Sequence, residues 1–158
     1  HDYDDDASVY RALAARGDAL TPEQWAHMFA VRHLPCPKRI SESGISRVEP
    51  GVRLAAFAFD KVRGSSRLRG EMVAAAVSTL PGWKAYTAWG HDLSFQLPPG
   101  VTLDFCVVVK RELSSIMDWC RRNAKLTYLD LLDNSIELRE MLTENRSMNV
   151  GIDVMLTN

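Results

Sequence analysis

Residues 83–109 read WKAYTAWGHDLSFQLPPGVTLDFCVVV, and the fold turns on how this stretch is interpreted. Trp83, Ala85, Thr87 and Trp89 alternate with Lys84, Tyr86 and Ala88 over one strand length, the period at which side chains switch faces of a sheet. Gly90, His91 and Asp92 supply a turn, and Leu93, Phe95 and Leu97 then alternate with Ser94 and Gln96. Pro98, Pro99 and Gly100 supply a second turn before Val101 to Val109, a run rich in β-branched residues. Prolines cannot donate to a ladder, so they punctuate strands instead of occupying them. The pattern predicts a three-stranded antiparallel meander over 83–109.

Upstream, Met72, Val73, Ala76, Val77 and Leu80 form a helical stripe that stops at Pro81 and Gly82. The run 52–62 is apolar on every face from Leu54 to Phe59. Periodicity cannot separate a buried helix from a buried strand there, and its alanine content favours helix. Residues 38–51, with Ser41, Ser43, Gly44, Pro50 and Gly51, read as an irregular connection. Thr21, Pro22, Glu23 and Gln24 make a helix start, with Thr21 as N-cap, for a helix running to His33 before Pro35 and Pro37. A shorter helix is expected from Ser8 to Gly17.

Downstream, Leu113, Ile116, Met117 and Cys120 mark one helix. Leu129, Leu132, Ile136 and Leu138 to Leu142 mark another, with Thr127 as its N-cap. Val150, Ile152, Val154 and Leu156 alternate and add a strand at 150–156. The expected architecture is therefore α+β: an antiparallel sheet of three to four strands, packed with about five to six helices. The run from His1 to Asp6 is polar and acidic and reads as a tag remnant or disordered end, leaving 7–158 as a single domain.

Composition narrows the function classes. The chain has 158 residues, 46% hydrophobic and 25% charged, with a formal charge of -1, so no overall field draws it to nucleic acid or an anionic membrane. No apolar stretch approaches the roughly 20 residues that span a bilayer. Three cysteines, Cys36, Cys106 and Cys120, are too few for a disulfide framework and fit unpaired thiols in a reducing, intracellular setting, although a Cys106–Cys120 bridge stays open. No cofactor is implied: the chain has no Walker pattern, no dinucleotide fingerprint and no nucleophile elbow.

Four cations, Lys61, Arg63, Arg67 and Arg69, are interleaved with Gly64, Ser65, Ser66 and Gly70 and form the best anion or nucleic-acid candidate. A solvated loop is the plainer account of the same residues. Trp83, Tyr86 and Trp89 could present an interaction surface or a stacking platform, with the two tryptophans on one face and Tyr86 on the other. An aromatic face packed under helices is the simpler alternative. His27, His33 and Cys36 have the wrong spacing for a metal site, because ligands on a helix sit three or four apart. Cys36, beside Lys38, and His91 with Asp92 are the only hints of nucleophilic or acid–base chemistry. The acidic pairs Asp130/Asp133 and Glu137/Glu140 read as solvated helix faces. The leading expectation is a non-enzymatic binding or assembly domain with a protein partner or a second copy of itself, working through an open sheet edge. RNA binding through the basic loop comes second, and an enzyme with a spatially assembled Cys/His site third.

Overall fold

The computed structural model describes residues 22–62, 64–109, 114–131 and 154–157. Its centre is a parallel sheet: five strands of four or more residues, β2 Arg53–Ala58, β3 Trp83–Ala88, β4 Leu103–Val109, β5 Ala124–Leu131 and β6 Val154–Thr157, with a two-residue strand β1, Lys38–Arg39, at one edge. The order across the sheet is β1-β3-β2-β4-β5-β6. Every pairing is parallel.

This overturns the expected antiparallel meander. The segments 83–88 and 103–109 are strands, but they are not neighbours; β2 lies between them and pairs with both. The segment expected as the middle strand opens instead with a 3-10 turn, Gly90–Ser94. Leu93, Phe95 and Leu97 then pack against the core without joining the sheet. Their alternation reflects a loop lying on an apolar surface.

The run 52–62, expected as a helix, holds the central strand. A strand of a parallel sheet has both faces covered, so it reads as a continuous apolar run with no alternation. Leu54, Ala56 and Ala58 face one apolar cluster, and Ala55 and Phe57 face the other. Alanine there reflects close packing on two sides and not helix propensity.

Helices complete the layers. Among the described residues, α1 is Pro22–Val31 and α3 is Ser114–Asn123. Between β2 and β3, three consecutive helical segments, Gly64–Ser66, Arg67–Glu71 in π geometry and Met72–Val77, are grouped here as α2. That makes about three helices, not five to six; the expected helix at 8–17 and the Thr21 cap lie outside the described residues. Leu129 and Thr127 belong to β5, where Thr127 is buried opposite Cys106, so Thr127 caps no helix. The remainder of the expected 129–142 helix lies outside the described residues. The terminal strand does join the sheet, parallel to β5.

α2 and α3 cover opposite faces. Ile116, Met117, Trp119 and Cys120 of α3 share a core with Leu54, Ala56, Ala58, Leu103, Cys106, Val108 and Leu129. Ala74 of α2 lies with Ala55, Phe57, Phe59 and Val107 on the other side. Phe29 of α1 packs on Met72 and Ala75, adding a layer outside α2. Trp119 is fully buried, and its Nε1 donates to the Phe95 carbonyl at 3.0 Å, which fixes the 89–102 connection over that face. Truncating such a side chain to alanine costs about 3–5 kcal/mol.

Candidate functional site at the carboxyl edge

The connection leaving β2 runs toward β3 on one side, and the connection leaving β4 runs toward β5 on the other. The chain therefore changes direction between β2 and β4. In open parallel sheets, ligands bind outside the carboxyl ends of the strands at such a switch point. The groups around that edge come from the segment after Ala58, from α2, from the turn after Ala88 and from the end of β5. Residues 110–113 and 132–153, which follow β4 and β5, lie outside the described residues.

The basic segment leads from β2 into α2, so it is a strand-to-helix connection and not an interhelix loop. Phe59 N–H donates to the Ala88 carbonyl at 3.0 Å, carrying the β2–β3 pairing one step further before the chain turns. The Ser66 hydroxyl donates to the Lys61 carbonyl at 2.9 Å and closes the turn into the helix. Lys61 is exposed. Arg67 is half-buried, with Nε and Nη1 shielded from solvent. Arg69 Nε pairs with Asp130 Oδ2 at 2.8 Å, joining α2 to the end of β5. Asp130 stands opposite Val109, the last residue of β4. The pair therefore spans the carboxyl end of β4, next to the switch point. Arg63 lies outside the described residues.

Burial pushes the Asp130 carboxyl above its ordinary range, and the Arg69 charge and hydrogen bond offset part of that rise. The buried Asp130 carboxylate takes the Arg69 Nε, and a guanidinium carries five N–H donors in a fixed fork, more than one such contact uses.

Phe59 connects this region to a second cluster. Its ring stacks on Trp89 with centroids 6.2 Å apart and planes 14° apart, and the Arg39 guanidinium lies 4.0 Å from the Trp89 centroid. Arg39 Nε also donates to Asp92 Oδ2 at 2.7 Å, and its Nη2 donates to the Trp89 carbonyl at 2.9 Å. Asp92 is fully buried and accepts from the Trp89 N–H at 3.1 Å and from the Ser41 hydroxyl. His91 is largely exposed, with Nδ1 3.3 Å from Arg39 Nη2 and Nε2 3.8 Å from Asp92 Oδ1. Ser41, Asp92 and His91 thus meet, but the serine bonds the carboxylate directly. A nucleophilic relay needs the imidazole between them. The cluster acts as an anchor that ties β1 to the turn after β3.

Among the aromatics singled out from the sequence, Trp83 and Trp89 do share the α2 face and Tyr86 the α3 face. Trp83 packs 5.2 Å from Phe105 and lies under Arg53 at 4.5 Å. Tyr86 is buried. Trp89, with Phe59 near one side and Arg39 over its ring, offers little face for a base. Cys36 is exposed as a residue, yet its thiol is pushed up by local desolvation and by the nearby Glu71 charge, the reverse of what activates a nucleophile. Among the described residues no group of three or more His, Cys, Asp or Glu side chains is placed to hold a metal ion. No helix among them is long and apolar enough to cross a membrane.

Sequence reasoning missed Arg39, and it named Asp92 only beside His91 in a turn, not as the buried acceptor for Arg39 and Ser41. Asp130 was assigned to an exposed helix face and is instead a buried residue near the end of β5; Asp133, Glu137 and Glu140 lie outside the described residues. Recognising 53–58 as a strand would have found the Arg69 setting, because it makes the basic segment a strand-to-helix connection in a parallel sheet. No family model matches the chain, and neither a curated protein nor a solved structure matches it.

Proposed function

We propose that the protein binds a small phosphorylated ligand at the carboxyl edge of its sheet, between β2 and β4, with Lys61, Arg67 and Arg69 as the cationic contacts. The observation that carries this reading is the strand order, which puts the β2–α2 connection beside the switch point. The Arg69–Asp130 pair spanning the end of β4 supports it, since a guanidinium in a partly desolvated setting binds phosphate strongly and in a fixed orientation. Self-assembly through a sheet edge is less well supported. Among the described residues the edge strands span two and four residues, a short ladder for an added strand. RNA binding would draw on the same cations, but the aromatic side chains nearby are engaged with each other and with Arg39.

The test is a thermal melt with inorganic pyrophosphate, compared with sodium chloride at equal ionic strength. At a ligand concentration about 100 times Kd, binding to the folded state adds about 2.7 kcal/mol, which raises Tm by about 5–10 °C for a chain of this size. Lys61→Glu, at an exposed position that the fold does not need, should reduce the shift at least by half. An equal shift in chloride, or an unchanged shift in Lys61→Glu, overturns the reading. Binding of single-stranded RNA but not pyrophosphate, with an affinity that falls steeply with salt, replaces it with the nucleic-acid alternative.

A further inference from the structure

Cys106 on β4 and Cys120 on α3 are both fully buried, and their Sγ atoms lie 2.9 Å apart. β4 and α3 belong to consecutive elements, so the two sulfurs meet across the interface that holds α3 on the sheet. Apolar side chains surround them: Ile116, Met117, Trp119, Val108 and Leu129 belong to the same cluster. The hydrogen-bonding contact described for each thiol is with the other, and Thr127 stands beside Cys106 on the neighbouring strand. A disulfide bond is about 2.05 Å long and joins residues whose side chains already point together. Here the backbone has brought the sulfurs to within a small side-chain movement of that bond.

We propose that Cys106 and Cys120 form a disulfide in the folded protein, a covalent clamp between β4 and α3. The oxidant is a low-molecular-weight disulfide. One cysteine loses its proton and attacks a sulfur of the oxidant, breaking its S–S bond and releasing one thiol. The second cysteine loses its proton and attacks the mixed disulfide, releasing the other thiol. Two electrons leave the protein sulfurs, and the oxidant takes them up as two thiols. Burial raises the Cys106 thiol well above its ordinary range, so the thiolate is scarce in the closed core. Exchange therefore proceeds during folding or during opening of α3, and the bond persists once the core closes. Cys36, exposed and remote from this cluster, is the thiol left over. The clamp is independent of the phosphate-site reading.

The experiment unfolds the whole chain in guanidinium chloride and refolds it in buffers of mixed reduced and oxidised glutathione. Samples are quenched with acid, alkylated in denaturant with iodoacetamide and mapped by mass spectrometry without reduction. A parallel sample of folded protein is held in the same buffers. The expected product is a Cys106–Cys120 linked peptide with only Cys36 alkylated. The oxidised protein should melt about 5 °C or more above the reduced protein, from the restriction of the unfolded chain. Cys36→Ser should keep both the link and the shift, and Cys120→Ala, provided it folds, should lose both. Alkylation of Cys106 and Cys120 at every glutathione ratio overturns the proposal. So does a link to Cys36, or equal melting of the two forms.

Discussion

Gly70 lies in the π segment of α2, and a side chain there would meet a wall. A Cβ added at Gly70 sits 2.7 Å from Phe59 Cε1 and 2.9 Å from Cδ1. Phe59 is 1% exposed, and its ring is stacked on Trp89, whose own ring lies under Arg39. The ring has no free end to swing aside, so Gly70→Ala must displace either the helix or the Phe59–Trp89–Arg39 stack. In an ordinary helix interior, glycine to alanine stabilises by about 0.8–1 kcal/mol. Overpacking a closed core costs about 1–3 kcal/mol. The net expectation is a loss of up to about 2 kcal/mol, seen as a lower urea midpoint at unchanged m-value and a Tm lower by up to about 8 °C. Phe59→Leu in the same background removes the ring edge and should recover at least half of the loss. The double-mutant cycle should then give a coupling above the 0.3–0.5 kcal/mol scatter of independent sites. A Gly70→Ala protein more stable than wild type, or a cycle within that scatter, refutes the contact.

Asp92→Ala removes a fully buried carboxylate that serves Arg39, Ser41 and the Trp89 N–H. Because it leaves Arg39 and a backbone donor without their acceptor, it should cost about 3–5 kcal/mol in urea unfolding, and a loss below about 1 kcal/mol would show the cluster to be incidental. Asp104 accepts from the Leu54 N–H at 2.9 Å and pairs with Lys125 at 2.8 Å. Burial alone would raise its carboxyl, but the Lys125 hydrogen bond, the Leu54 N–H and the charges of Lys125 and Arg53 together hold it below the ordinary 3.8. A carboxyl depressed on folding contributes stability above its unfolded pKa and loses it as pH falls through the folded value. Asp104→Asn should therefore cost up to about 1 kcal/mol at pH 7, the scale of an exposed pair, and the gap to wild type should close on acidification below 3.8. A gap that widens in acid would contradict this sign.

Local chemistry was legible where each strand is framed by its own residues. The alternation from Trp83 to Ala88 and the β-branched run ending at Val109 both identify strands, and the faces of Trp83 and Tyr86 follow from period two alone. Their pairing was not legible. Two strands joined by Gly90, Pro98 and Gly100 look like hairpin partners, and only the insertion of β2 between them makes them parallel and separate. That insertion depends on contacts between residues about 30 and about 50 positions apart, such as Ala55 with Ala85 and with Phe105, which no local window sees. β2 itself was misread because a strand buried on both faces has no polar phase. The more telling cue was its frame: an apolar run too short for an ordinary helix, followed after four residues by Gly64, Ser65, Ser66 and a helical stripe.

Assigning 53–58 to a strand changes what the rest of the sequence means. The cations that looked like a solvated loop now lie at the carboxyl end of the central strand, where a parallel sheet leaves a crevice. At the opposite end, Asp104 joins the amino ends of β2, β4 and β5 through Leu54 and Lys125. The two ends should therefore separate by phenotype. Substitutions around Asp104 should change stability and its pH dependence and leave the proposed pyrophosphate affinity unchanged, because they sit at the opposite end of the strands from Lys61, Arg67 and Arg69. Lys61→Glu does the reverse. Gly70 stands between the two: its contact with Phe59 is structural, yet Arg69 is the adjacent residue of the same π segment. Shifting that segment to relieve the clash moves the guanidinium that spans β4. Gly70→Ala should then weaken pyrophosphate binding along with stability, while Phe59→Leu restores both, which ties the helix packing to the site it positions.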